Sequence, residues 1–173
     1  MMKPSTRSHV APFYVMEVMR SAEQREQAGL EVLHLEVGQP STGAPVGAVA
    51  AVEQAIRSHH LGYTGAAGTP QLRERISRWY VDRYQLDVAP ERIVVTTGAS
   101  GSCVLTFLAA FDPGQRVAVL EPGYPCYRND LEALGVDVVT IPVGHDTGFR
   151  PQVEQLEAAL PLDGLVIASP SNP

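Results

Sequence analysis

The residues best suited to chemistry form a short stretch of small side chains at 96–102, with the sequence TTGASGS. The β-branched run before it predicts a buried strand near 93–97, and the apolar run after it predicts a helix near 100–111. The free N–H groups of a helix's first turn and the positive end of its dipole favour a phosphate, and Ser100 adds a hydroxyl donor. Taken alone, the stretch is equally consistent with a tight turn that needs small residues only for packing.

Two further loops that contain residues suited to binding or chemistry follow predicted strands. Glu121-Pro122-Gly123-Tyr124 comes after an apolar run, and a Ser-Pro-Ser-Asn-Pro segment containing Asn172 comes after another. Alternation of strands and helices indicates a parallel sheet with right-handed crossovers, and ligands collect at the carboxyl ends of such strands. The predicted strands lie near 93–97, 117–120, 136–141 and 165–168, and the predicted helices near 100–111, 125–134 and 151–160.

The first part of the chain contains residues that typically begin and end helices. A helix is predicted from Pro12 to Gln27 with Gly29 as its stop, followed by a short strand at 32–35. Pro45 opens a second helix, and Thr69-Pro70 is an N-cap followed by proline at the first position of a third. Gly135 is expected to end the helix at 125–134.

Composition excludes several classes of protein. The 173 residues are 45% hydrophobic and 18% charged, as in a globular domain with one core. A net charge of −6 argues against a nucleic-acid surface, and no apolar run reaches the roughly 18 residues of a membrane helix. The two cysteines have no metal-ligand spacing, so we expect no metal and a cytoplasmic location.

Five segments, in order along the chain, resemble the motifs of the fold-type I pyridoxal-phosphate (PLP) enzymes, in particular the class I aminotransferases. They are LEVGQP at 35–40, GYTGAAGTPQLR at 62–73, TTGASGS at 96–102, EPGYPCY at 121–127 and ASPSNP at 168–173. The resemblance implies an incomplete α/β fold of the PLP-dependent transferase type, with three α/β/α layers and a mostly parallel sheet. It implies an N-terminal arm and part of a small domain at 1–44. It also places the first half of the large PLP-binding domain at 45–173.

The resemblance also implies roles for residues at the three strand exits. Ala99 and Ser100 would hold the phosphate of pyridoxal 5'-phosphate in a turn shaped by Gly98 and Gly101. Tyr124 would stack on the pyridine ring, where a flat aromatic face suits a flat cofactor. Asn172 would donate a hydrogen bond to the phenolic oxygen of the cofactor.

Two more residues of the resemblance lie earlier in the chain. Tyr63, on a glycine-rich loop, would reach the phosphate of the neighbouring subunit in a homodimer. Gly38 would present its backbone N–H to the substrate carboxylate. A surface tyrosine and a plain turn glycine are the alternative interpretations of these two positions.

The function that the resemblance implies is transfer of an amino group between an amino acid and a 2-oxo acid through PLP. The lysine that forms the Schiff base in this family has no counterpart, since the only lysine is Lys3, ahead of every motif. We therefore assign no catalytic residue within the chain. We expect the chain to be the N-terminal half of a longer enzyme and to be inactive alone.

Three other functions are alternatives to the aminotransferase. Another fold-type I enzyme, such as a PLP lyase, would share this half of the sequence. A non-catalytic module for binding or regulation is favoured only if 173 residues are the full length. A nucleotide-binding dehydrogenase is rejected, because its motif requires glycines where Ser102 and Val104 stand and belongs near the N-terminus.

Overall fold

The computed structural model describes residues 3–172 and contains a parallel three-stranded sheet. Its strands are β1 (Arg116–Glu121), β2 (Asp137–Pro142) and β3 (Gly164–Val166), in the order β2-β1-β3. The register pairs Val117 with Val138 of β2 and with Gly164 of β3. The helices are α1 (Tyr14–Gln27), α2 (Val46–Ser58), α3 (Pro70–Tyr84), α4 (Gly98–Ala110), α5 (Pro125–Ala133) and α6 (Val153–Ala159).

The buried core joins β1 to the helices on either side of it in the sequence. Val117 and Val119 of β1 pack with Phe107 of α4 and Leu131 of α5, and Val117 and Leu131 are completely buried. Burial of each such side chain contributes about 1.5–3 kcal/mol. This packing fixes the start of α4 and the start of α5 relative to the end of β1.

The chain clusters into two compact units, each with its own contacts. One unit is the segment from Leu33 to Thr96, which contains α2 and α3. The other combines the segment up to Val32 with the segment from Thr97 onward, and contains α1, the sheet and α4–α6. Within this second unit the Asn129 side chain donates a hydrogen bond to the carbonyl oxygen of Ala11 at 2.8 Å, which joins the N-terminal segment to α5.

The predicted helices are confirmed, and their ends lie near the glycine and proline residues that the sequence indicated as helix boundaries. Gly29 and Gly135 follow α1 and α5 with φ of +78° and +83°, a conformation that glycine adopts without strain. Pro70 is the first residue of α3 and Thr69 is its N-cap, although the Thr69 side chain makes no capping hydrogen bond.

Two of the predicted strands are wrong. The backbone at 93–96 is not part of a sheet in the described chain; its Val95 N–H bonds instead to the carbonyl of Ala67 at 3.0 Å. The segment 32–35 also lacks a strand, and Leu33 and Leu35 are 84% and 94% exposed. β-Branched composition favours an extended backbone, but a strand requires a neighbouring strand, and neither segment pairs with β1, β2 or β3.

Candidate functional site

The N-terminus of α4 presents an open turn of small residues. Gly98 begins the helix with φ of +79°, where a side chain would be strained, and the N-cap residue Thr97 makes no side-chain hydrogen bond to the helix. Ala99 and Ser100 are exposed in the first helical turn. The N–H groups of a first turn have no partner within their own helix, so this end of α4 suits an anion.

The first turn of α4 leaves little space for a side chain at Gly101. A Cβ atom at Gly101 would lie 2.8 Å from Oγ1 of Thr97, closer than real Cβ contacts allow. The glycine thus lets the helix begin against the Thr97 side chain while the outer side of the turn stays exposed. An exposed first turn without a side-chain cap, together with a serine hydroxyl, fits a phosphate ester.

Tyr124 stands at the exit of β1, as the N-cap residue of α5. Its half-buried ring meets the ring of Tyr127 edge to face, with centroids 5.4 Å apart and planes at 83°. Tyr127 in turn packs against the core, and burial raises the pKa of its phenol. The core therefore supports the Tyr124 ring from one side, which limits its motion.

A small cleft brings Tyr124 and Asn172 together at the carboxyl ends of β1 and β3. Asn172 follows β3 and is exposed at the edge of this cleft. The cleft is lined by Leu120, Gly123, Tyr124, Tyr127, Val166, Ala168, Ser171 and Asn172. The structure thus places two of the sequence-predicted site residues at one end of the parallel sheet, where ligands of open α/β sheets bind.

A larger cavity of about 360 Å³ lies beside Tyr124. The N-terminal residues Ala11, Pro12, Tyr14 and Val15 form part of its wall, together with the loop after β1. Arg128 also lines this cavity, but its guanidinium is already bonded to Glu121 at 3.3 Å and to Glu132 at 3.5 Å.

Cys126 and Asp130 are residues of the site region that the sequence did not reveal. The Cys126 Sγ lies 3.1 Å from the Ser100 Oγ and 3.2 Å from the Asp130 Oδ2. A hydrogen-bonded chain therefore joins the first turn of α4 to α5. One available signal was the spacing of four between Cys126 and Asp130, which puts both on one face of the predicted helix.

The thiol of Cys126 is held in its neutral form. Burial raises its pKa most and the Asp130 carboxylate raises it further, whereas hydrogen bonding to Ser100 and Tyr124 lowers it. Burial likewise raises the pKa of Cys103, which lies one turn beyond Ser100 in α4. Neither cysteine is in a disulfide.

The remaining sequence-predicted residues lie in other parts of the chain. Gly38 and Tyr63 belong to the unit from Leu33 to Thr96, where the Tyr63 side chain is fully exposed. Lys3 is exposed near the N-terminus. Over residues 3–172 the structure contains no cluster of side chains able to hold a metal ion and no helix long and apolar enough to cross a membrane.

A helix start without a side-chain cap, a tyrosine packed edge to face on Tyr127 and an asparagine after β3 are the candidate site features of this α/β protein. The family model for aminotransferases of class I and II matches residues 31–173. The chain belongs to this family, whose members depend on pyridoxal phosphate and use amino acid and 2-oxo acid substrates.

Individual relatives agree with the family assignment. The chain is 48% identical over 168 residues to a valine–pyruvate aminotransferase of Mycobacterium tuberculosis, covering 96% of this chain and 43% of that protein. It is 35% identical over 163 residues to a (5-formylfuran-3-yl)methyl phosphate transaminase of Methanocaldococcus jannaschii, covering 93% of this chain and 42% of that protein.

The fold is that of solved aminotransferases. A crystal structure of an aminotransferase from Mycobacterium tuberculosis superposes with a TM-score of 0.93 at 46% identity, covering all of this chain and 45% of that one. The fold-class prediction is confirmed. The chain spans less than half the length of the relatives it matches.

Proposed function

We propose that the complete protein is a PLP-dependent aminotransferase that moves an amino group between an amino acid and a 2-oxo acid. The observation that carries this proposal is the meeting of Tyr124 and Asn172 in one cleft, with Ser100 joined through Cys126 to the helix that follows Tyr124. Three motifs that are distant in the sequence thus come to one end of the sheet. The proposal concerns the complete protein because this chain covers 43% of its valine–pyruvate relative.

The residues of this chain would bind and orient the cofactor. Ala99 and Ser100 would donate hydrogen bonds to its phosphate, and Gly98 and Gly101 would keep the turn free of side chains. An oxyanion in this position gains from both the helix dipole and the hydroxyl. When bound, the cofactor supplies the electron sink for the reaction, and the protein supplies its position and its electrostatic surroundings.

Tyr124 and Asn172 would hold the ring of the cofactor. The Tyr124 ring offers a flat face that Tyr127 supports from the side, and stacking on such a face contributes about 1 kcal/mol beyond burial. The Asn172 amide would donate to the phenolic oxygen and stabilise its ionised form. Gly38 would offer its N–H to the substrate carboxylate.

For the substrate we propose a small apolar amino acid as donor and pyruvate as acceptor. The support is the 48% identity to the valine–pyruvate aminotransferase, higher than the 29% identity to the aspartate aminotransferase of Thermotoga maritima. We also propose a cytoplasmic protein, in keeping with two free thiols. The segments 1–44 and 45–173 would belong to the small and the large domain of the complete enzyme.

We further propose a homodimer in which Tyr63 reaches the phosphate bound by the partner chain. The supporting observation is that the Tyr63 side chain is fully exposed on a glycine-rich loop within its own unit. Hybrid dimers of a Tyr63→Phe chain with a Ser100→Ala chain test this arrangement. If Tyr63 acts across the dimer, one site of each hybrid retains both residues and activity recovers; no recovery in verified hybrids places Tyr63 elsewhere.

The experiment that tests the cofactor site uses the complete protein and its Ser100→Ala variant. We expect the variant to release PLP more readily, by about one to two powers of ten in affinity, because a charge-assisted hydrogen bond contributes roughly 1.5–3 kcal/mol. PLP retention is followed by absorbance after dialysis, with exposed Ser102→Ala as the matched control. Formation of alanine from pyruvate and valine tests the activity, and no turnover with any amino donor contradicts the proposed reaction.

A further inference from the structure

The side chain of Cys126 bridges two elements that approach the proposed cofactor from different parts of the sequence. Its Sγ lies 3.1 Å from Oγ of Ser100, at the start of α4, and 3.2 Å from Oδ2 of Asp130, one turn further along α5. Cys126 is 8% exposed, whereas Ser100 is exposed. The buried thiol therefore lies behind the serine, on the side away from solvent.

We propose that Cys126 is a positioning residue, anchored by Asp130, that orients the hydroxyl of Ser100 toward the cofactor phosphate. This inference rests on the proposed function, since it concerns the hydrogen bond from Ser100 to that phosphate. Cys126 itself makes no contact with the cofactor in this arrangement. Its effect passes through Ser100.

Three side chains hydrogen-bond with this thiol, and of them Ser100 and Asp130 accept its proton. The thiol has a single proton, which Oγ of Ser100 and the Asp130 carboxylate share as acceptors in a three-centre hydrogen bond, while the serine hydroxyl keeps its own proton to donate. When Ser100 donates to a phosphate, which is also only an acceptor, its oxygen still has a lone pair that can accept the thiol proton. The phosphate and the thiol then bind opposite sides of the same hydroxyl, and its rotation is restricted.

The neutrality of the thiol matters for this role. A thiolate at the same place would have no proton to donate and would repel the phosphate. Burial and the Asp130 carboxylate raise the pKa of the thiol, the hydrogen bond with Ser100 lowers it, and the net shift is upward, toward the neutral form in which Sγ donates. A buried thiol is thus a neutral donor that adds no charge beside the anion.

The test measures how the loss of the thiol depends on Ser100. In the complete protein, Cys126→Ala is expected to raise the dissociation constant of PLP by about threefold to tenfold, the range of one neutral hydrogen bond. In a Ser100→Ala background the same change is expected to alter it less than about twofold, because the hydroxyl it acts on is gone. Cys126→Ser, which retains a donor, is expected to remain within about twofold of the native value.

Two further measurements separate positioning from general stability. The ³¹P chemical shift of bound PLP should change in Cys126→Ala and return in Cys126→Ser, since it reports the hydrogen bonds to the phosphate. Thermal unfolding without PLP measures the packing cost separately. Cys103→Ala is the matched control, because Cys103 packs against the same core and has no hydrogen bond to Ser100 in the described structure. If Cys126→Ala does not fold, Cys126→Val removes the donor with little loss of volume.

The outcomes distinguish this inference from the proposed function. A loss of affinity from Cys126→Ala that is equal in both backgrounds, or that Cys103→Ala reproduces, overturns the positioning role. A loss from Ser100→Ala with none from Cys126→Ala or Cys126→Val also overturns it, while the phosphate site stands. An unchanged affinity in Ser100→Ala overturns the phosphate site and this inference together.

Discussion

Gly68 lies so close to the side chain of Val95 that no side chain fits at position 68. A Cβ atom at Gly68 would lie 2.7 Å from Cγ2 of Val95, and the φ of Gly68 is +95°. The neighbouring carbonyl of Ala67 accepts the Val95 N–H at 3.0 Å. The glycine-rich loop therefore packs directly on the extended segment at 93–96.

Arg73, which lies with Gly68 in the motif at 62–73, also binds the backbone next to and within the segment at 93–96. Its Nε donates to the carbonyl oxygens of both Pro90 and Ile93 at 2.9 Å. The Ile93 carbonyl has no strand partner in the described structure, so the guanidinium satisfies a group that a sheet would otherwise satisfy, whereas the Pro90 carbonyl also accepts the Ile93 N–H at 3.1 Å. The segment that precedes α4 is thus fixed by a glycine contact and an arginine.

Gly68→Ala is expected to destabilise the protein by about 1–3 kcal/mol, because the new methyl group overlaps Val95 and the backbone is in a region that alanine disfavours. Urea unfolding of the complete protein measures the change. Gly47→Ala is the control, since nothing lies within 4 Å of a Cβ there and its helical position favours alanine. An unchanged midpoint in Gly68→Ala contradicts the close contact.

Local signals in the sequence predicted the helices but not all the strands. Pro70, Gly29 and Gly135 act within a few residues of their own positions, so sequence alone identifies the helix ends. A strand depends on a partner elsewhere in the chain. The runs at 32–35 and 93–97 have the composition of strands, but neither is paired in the described structure.

The candidate site likewise contains some residues that the sequence predicts and others that only the structure reveals. Ser100, Tyr124 and Asn172 stand in motifs that the sequence displays directly. The role of Cys126 follows instead from the packing of α4 on α5, which brings it to Ser100 across 26 residues of sequence. No local pattern encodes that contact, so the hydrogen-bonded chain became visible only in the structure.

Gly101→Ala is expected to weaken PLP binding, because its Cβ would meet Oγ1 of Thr97 at 2.8 Å and displace the first turn of α4. The expected loss in PLP affinity is about tenfold, which corresponds to about 1.4 kcal/mol of binding free energy. Adding Thr97→Ala removes the obstructing oxygen and should restore part of the affinity. If the second change restores nothing, the contact with Thr97 does not explain the requirement for glycine.

Stability is expected to fall at alkaline pH because of the two thiols. Burial raises the pKa of Cys103 and Cys126 above the ordinary value of 9.0, so the folded state keeps protons that the unfolded state has lost. This contribution is complete below the unfolded pKa and is lost as pH rises through the folded pKa. Free energies of unfolding measured from pH 7 to about pH 10 should decline less steeply in a Cys103→Ala, Cys126→Ser variant. Equal slopes would exclude the thiols as the source.

Tyr124→Leu is expected to lower PLP affinity by about twofold to tenfold, since stacking contributes about 0.5–1.5 kcal/mol beyond the burial that leucine partly retains. Tyr124→Phe keeps the ring and its edge contact with Tyr127, and so should bind nearly as the native protein does. Titration with PLP, followed by absorbance and by quenching of protein fluorescence, gives both constants. Tyr127→Phe is the control at the adjoining ring, where the phenol packs against the core. Equal losses in Tyr124→Phe and Tyr124→Leu would assign the effect to the hydroxyl, and stacking would then not be the role of this residue.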